Sequence, residues 1–221
     1  MYSFDAYSPK EIAEKVETVG VAKAHLPALQ TVMLGILAGA FIGLGALYFT
    51  VVISDTQLSF GIARVLGGVV FSLGLVLVVV AGAELFTGNN LLVMAWADRR
   101  ITLAELLRNW VLVYLSHHAG MNGGAVGAAY LKIAAVKTAM PFGEAFFKGV
   151  LCNLLVCLAV WIAYAGHTVT DKIVAIVLPI SAFVAAGFEH SVANLYFIPL
   201  GMLLHEGGMV AAGVDASTLN W

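Results

Sequence analysis

Five uncharged runs decide what this chain can fold into: Pro27–Ser54, Val65–Ala83, Gly149–Thr170, Ile173–Phe188 and Ser191–Leu204. A helix needs about 20 apolar residues to cross the hydrocarbon of a bilayer. Water is absent there, so backbone N–H and C=O groups must bond within the segment, and the spans must be helices. Charged residues make up only 11% of the chain, where a soluble domain carries about 25%. The reading is an all-α polytopic membrane protein, with residues 27–221 forming one membrane domain.

Spans are predicted over 28–53, 62–83 and 143–166. Another runs over 173–187, breaks at "GFEHS", and resumes to about 204. A short apolar segment covers 90–97 and a further helix starts near Thr102. Gly35, Gly39 and Gly43 repeat every four residues, a small-residue stripe suited to close helix packing. Residues 1–26 read as an amphipathic helix on the membrane surface rather than a cleaved signal. Ser8 is its N-cap, Pro9 opens it, Glu11 completes a capping box, and Ile12, Val16 and Val19 form its apolar stripe. With that helix cytoplasmic, the inner side holds Lys10, Lys15, Lys23, Arg99, Arg100, Arg108 and Lys172. Arg64, Lys132, Lys137 and Lys148 fall outside, a modest bias of the expected sign.

Several classes drop out. A net charge of −2 without a basic cluster excludes nucleic acid as a partner. Cys152 and Cys157 sit five apart on one predicted helix and read as packing residues. His117–His118 lack a third ligand at a usable spacing, and His205–Glu206 likewise read as loop, so neither a metal nor another cofactor is expected. Nothing resembles a nucleophile–base arrangement, which argues against an intramembrane enzyme.

"GAELFTGNN" at 82–90 and "GFEHSVAN" at 187–194 repeat one pattern with an offset of 105 residues. Gly82, Glu84 and Asn89 fall on Gly187, Glu189 and Asn194. Two interrupted hydrophobic segments at corresponding places in two halves point to a transport site. A broken backbone at membrane depth is tolerated only against protein or a water-filled cavity.

"VVAGAELFTG" at 79–88 and "GVLCNLLVCLA" at 149–159 resemble the two signature segments of the formate/nitrite transporter family. "GFEHSVAN" resembles that family's broken fifth helix, and "LLRNW" at 106–110 matches it too, so the likeness runs from about residue 8 to 204. The resemblance is greatest to bacterial formate channels. It implies an aquaporin-like inverted repeat with broken second and fifth helices, assembled as a homopentamer in the bacterial inner membrane, in contact with lipid. Each protomer then passes formate and related small monovalent weak-acid anions. The resemblance places the pathway at His190, Thr87, Lys137 and Asn153. It places constrictions at Phe71 and Leu75, at Phe183, and at the Leu85–Phe86 pair of the break. It also implies a sixth helix, which the 221 residues do not contain, and about fifteen further residues between Trp110 and Lys137. The third helix therefore reads as short, with residues missing there and at the C-terminus.

His190 can hydrogen-bond an anion and exchange a proton near neutral pH. A carboxylate keeping its charge through an apolar constriction is costly to dehydrate, and the neutral acid is not. The expected chemistry is weak-acid permeation, channel-like or proton-coupled. Thr87 reads as a helix cap that also reaches His190, and Lys137 as an electrostatic lure. Glu84 and Glu189 read as structural carboxylates that accept backbone N–H groups at the breaks. Open alternatives are a preference for nitrite or hydrosulfide, and a neutral-solute channel, though the chain lacks the paired Asn-Pro-Ala breaks of water channels.

Overall fold

The computed structural model describes residues 6–54, 57–119, 127–208, 210, 213–215 and 217–219, with 117–119 and 127–128 as backbone only. The ten helices among them are α1 (Pro9–Ala24), α2 (Ala28–Ile53), α3 (Phe60–Ala81), α4 (Phe86–Asn89), α5 (Leu92–Ala97), α6 (Leu103–Ala119), α7 (Gly127–Thr138), α8 (Phe142–Ala165), α9 (Val169–Ala186) and α10 (Ser191–Glu206). Four of them, α2, α3, α8 and α9, are long and apolar enough to cross a membrane.

Ser8 opens α1 with the capping box that the sequence predicts: its hydroxyl accepts the Glu11 N–H, and the Glu11 carboxylate accepts the Ser8 N–H at 2.8 Å. The Ser8 hydroxyl, and then the Ser8 N–H, hold the Glu11 carboxyl below its ordinary range. The apolar stripe continues past Ile12 and Val16 to Gly20 and Ala24, all buried. It packs against α5, α6 and α8. A Cβ on Gly20 would stand 3.2 Å from the Ala95 Cβ of α5.

Lipid is as apolar as leucine, so these helices associate by close packing rather than by the hydrophobic effect. Small residues allow it. A Cβ on Gly45 of α2 would lie 2.7 Å from the Phe71 carbonyl of α3, and one on Gly68 of α3 would lie 2.8 Å from Ser181 Cα of α9. Of the α2 stripe, Gly35 meets Ser116 on α6 and Gly43 meets Tyr196 on α10. Segment 127–138, where no helix is predicted, is the helix α7 and packs on α10. At 17 residues, α6 reaches roughly 25 Å at 1.5 Å per residue. His117–His118 belong to its last turn and His205–Glu206 to that of α10, not to loops; the side chains of the former pair lie outside the described residues.

The repeat holds down to backbone detail. Both broken helices stop at a left-handed glycine, Gly82 at φ 69° and Gly187 at φ 72°. The next residue donates five positions back in each case, Ala83 to Val78 at 2.9 Å and Phe188 to Phe183 at 3.0 Å, a Schellman-type closure. Leu85 and His190 cap the restarts with near-identical dihedrals (−98°, 123° and −97°, 110°). Then Asn89 donates to Leu85 and Asn194 to His190, at 2.8 and 2.9 Å. A Cβ in this conformation costs about 1–2 kcal/mol. Gly82→Ala, with nothing within 4 Å of its new methyl, is expected to show that cost alone. Gly187→Ala must also displace Arg64 Nη2, which stands 3.2 Å from the new methyl, so it should melt lower in a thermal scan of the detergent-solubilised protein.

Candidate functional site

Each break leaves a carboxylate, buried at Glu84 and largely buried at Glu189, that needs a positive partner, because an isolated charge in a low-dielectric interior is costly. At the first break Lys23 Nζ of α1 lies 2.8 Å from Glu84, and Asn89 Nδ2 donates to the same carboxylate at 2.7 Å. Lys23 also donates to Asn89 Oδ1 at 2.9 Å, and Asn109 closes the cluster from α6. At the second break Lys137 of α7 donates to Glu189 at 2.6 Å and Asn194 Nδ2 donates to it at 2.8 Å. Two Lys–Glu–Asn clusters thus stand where the 105-residue offset put the Glu–Asn pairs.

This corrects the expectation that these carboxylates take backbone N–H groups. The N–H of Glu84 goes to the Leu34 carbonyl, and that of Glu189 to the Lys148 carbonyl. Lys137, expected as an electrostatic lure, stands in the last turn of α7, only 15% exposed and in an ion pair. Lys23 carries no motif, and only a search for a cation to balance Glu84 would have found it.

His190 caps α10 with its own ring. Nδ1 accepts the Ala193 N–H at 3.0 Å, which places the proton of the neutral imidazole on Nε2. Nε2 faces Thr87 Oγ1 at 3.4 Å, and both residues are buried. Thr87 lies inside α4, and Leu85 rather than Thr87 holds its N-cap position. The imidazole stacks on Phe183 with centroids 5.6 Å apart and planes 15° apart, and Phe71 meets both rings edge-on. Aromatic packing fixes the ring plane, and the cap fixes which nitrogen points away from the helix.

One cavity is lined by part of this group, and a second by the residues next to it in α3 and at the first break. The larger, about 660 Å³, is lined by Phe71, Phe183, His190, Glu189 and all four cations assigned to the outer side, Arg64, Lys132, Lys137 and Lys148. The smaller, about 420 Å³, is lined by Leu75, Leu85, Glu84, α1 residues from Val16 to Lys23, and Lys172. The residues expected as constrictions divide between the cavities: Phe71 and Phe183 line the larger, and Leu75, four residues on, lines the smaller with Leu85. Phe86 lines neither cavity and packs edge-on against Trp110 and Tyr114 of α6. Asn153 also lines neither. Its carbonyl accepts from Asn90 at 2.9 Å, and it reaches Thr87 only through Cys157, whose thiol donates to the Thr87 carbonyl at 3.5 Å. The site thus brings together His190, Thr87, Phe71 and Phe183, keeps Leu75 and Leu85 one layer away, and holds Lys137 at the cavity wall.

Comparison with known proteins agrees with the signature segments. The sequence model of the formate/nitrite transporter family matches residues 10–221. Formate channel FocA of Escherichia coli K12 is 40% identical over 219 residues, covering 92% of this chain and 77% of that protein. A solved pentameric formate channel with formate bound superposes with a TM-score of 0.77 at 34% identity, covering 88% of this chain and 85% of the other. A solved FNT family ion channel gives 0.79 at 30% identity, covering 86% and 82%. The chain is a multi-pass membrane protein and belongs to the formate/nitrite transporter family.

Proposed function

We propose that the chain conducts formate and related small monovalent weak-acid anions through the path between the two cavities. The observation that carries this is the position of His190: a polar ring at the floor of a cation-lined cavity, directly against an aromatic and aliphatic neck. The cations raise the local concentration of anions. A carboxylate reaching the floor exchanges its water for the Nε2–H of His190 and the hydroxyl of Thr87. Passing Phe71, Leu75, Phe183 and Leu85 as an anion costs several kcal/mol in lost hydration. The substrate therefore takes a proton from the water of the larger cavity at the floor, crosses as the neutral acid, and returns the proton to the water of the far cavity. Nδ1 is engaged with Ala193, so His190 acts first as a hydrogen-bond donor. To become the proton donor it would have to load Nδ1 and uncap α10.

The assembly is proposed to be a homopentamer, as in the solved channel of that description. Apolar side chains exposed on α8, among them Leu151, Leu154 and Leu158, supply surface for lipid or a neighbouring protomer. The N-terminal unit, residues 1–26 with α1, is placed on the cytoplasmic side of the bacterial inner membrane. The division of Lys23 and Lys172 from the four outer cations between the two cavities supports that orientation. The test is radiolabelled uptake into proteoliposomes holding the full chain. Formate should enter well above protein-free vesicles and chloride should not. Formate uptake at the protein-free rate, with the oligomer intact, would overturn the reading.

A further inference from the structure

We propose that Arg64 is a carboxylate-binding residue in the larger cavity, receiving the incoming anion before His190 does. The proposal rests on the transport reading above. Four cations line this cavity, yet two are already balanced: Lys137 by Glu189 and Lys148 by Glu144, each at 2.6 Å. Lys132 is exposed, a hydrated charge on a flexible stem. Arg64 differs from all three. It makes no ion pair among the described residues, and its Nε is buried without a hydrogen-bond partner among them. A buried donor left unmatched is costly unless something arrives to accept from it.

The guanidinium is also held in place. One face lies over the Phe60 ring, 5.5 Å from its centroid. Its Nη2 stands against Gly187, 3.2 Å from where a Cβ would be, only three residues before His190. A planar fork with a bare N–H edge matches the two oxygens of a carboxylate and makes short, charge-assisted bonds to them. The ligand class is accordingly a small anion with two adjacent oxygens, such as formate. A monatomic ion can accept from both donors, but it offers one acceptor point where a carboxylate offers two. The left-handed glycine adds to this, since its missing side chain leaves room for the guanidinium beside the break.

Two measurements on the full chain decide the matter, using wild type, Arg64→Gln and Arg64→Lys, each first checked for unchanged oligomer size and melting. One is the concentration dependence of formate uptake in proteoliposomes. The other is saturation-transfer NMR of ¹³C-formate with the protein in nanodiscs, which reads binding without transport. Arg64→Gln should raise the half-saturating formate concentration about tenfold, the order that a charge-assisted hydrogen bond supplies. Maximal uptake should persist, and Arg64→Lys should recover part of the loss. The transfer signal should fall in parallel. Wild-type uptake with both readouts unchanged in Arg64→Gln would overturn the Arg64 site and leave transport standing. Arg64-dependent binding without wild-type uptake would do the reverse. No binding by the wild type would remove the site outright.

Discussion

Lys23→Met is expected to cost about 3–5 kcal/mol of stability, the range found when one partner of a buried ion pair is removed. The loss comes from what stays behind. Glu84 is 2% exposed, and without Lys23 Nζ at 2.8 Å its charge keeps only the amide of Asn89. Lys23 also donates to Asn89 Oδ1, so the cluster that ties α1 to the first break opens with it. The double variant Lys23→Met/Glu84→Gln removes the uncompensated charge and should recover most of the lost melting temperature. Thermal unfolding in detergent of the two singles and the double gives the coupling directly. A Lys23→Met protein that melts with wild type would mean the pair holds nothing.

The second large effect separates two jobs of His190. His190→Phe fits beside Phe183 but removes both the α10 cap and the donor facing the cavity. Formate uptake should fall roughly a hundredfold, the rate equivalent of the few kcal/mol that an undonated carboxylate lacks on entering the neck. His190→Asn should behave otherwise. Asparagine is among the best N-caps, and its amide can accept from Ala193 while still donating toward the cavity. Uptake is expected within about tenfold of wild type, since one hydrogen bond of changed length is at stake. If His190→Asn is as inactive as His190→Phe, the imidazole carries the proton itself, and hydrogen bonding alone does not sustain permeation.

Much of this scaffold was legible because lipid leaves few choices. The 28–53 span appears with those bounds, and 143–166 is shifted by one residue. The 173–187 span starts four residues early, at Val169, because Thr168 and Asp171 form a capping box just outside the uncharged run. The repeat was legible because two left-handed glycines and two Glu–Asn pairs recur at fixed offset. What supports the breaks was not. Lys23 lies 61 residues from Glu84 and Lys137 lies 52 from Glu189, and no local pattern announces such a pairing. The helix α7 was missed because "GAAYLKIAAVKT" mixes alanine with two lysines and shows little apolar periodicity. Phe86 shows the limit of a motif: it stands in the signature segment, yet its ring belongs to the packing of α6.

The two caps of the repeat, Leu85 and His190, occupy matching positions and differ only in chemistry. An anion coming from one compartment meets a donor at its last hydrated stop, and from the other it meets a hydrocarbon wall. Detailed balance forbids any net flow at equal concentrations, so the ratio of maximal rate to half-saturation must be the same in both directions. The two quantities need not be equal separately. Flux from the His190 side should saturate at a lower concentration and reach a correspondingly lower ceiling. Efflux and influx curves of one oriented preparation would then differ in shape while agreeing in initial slope.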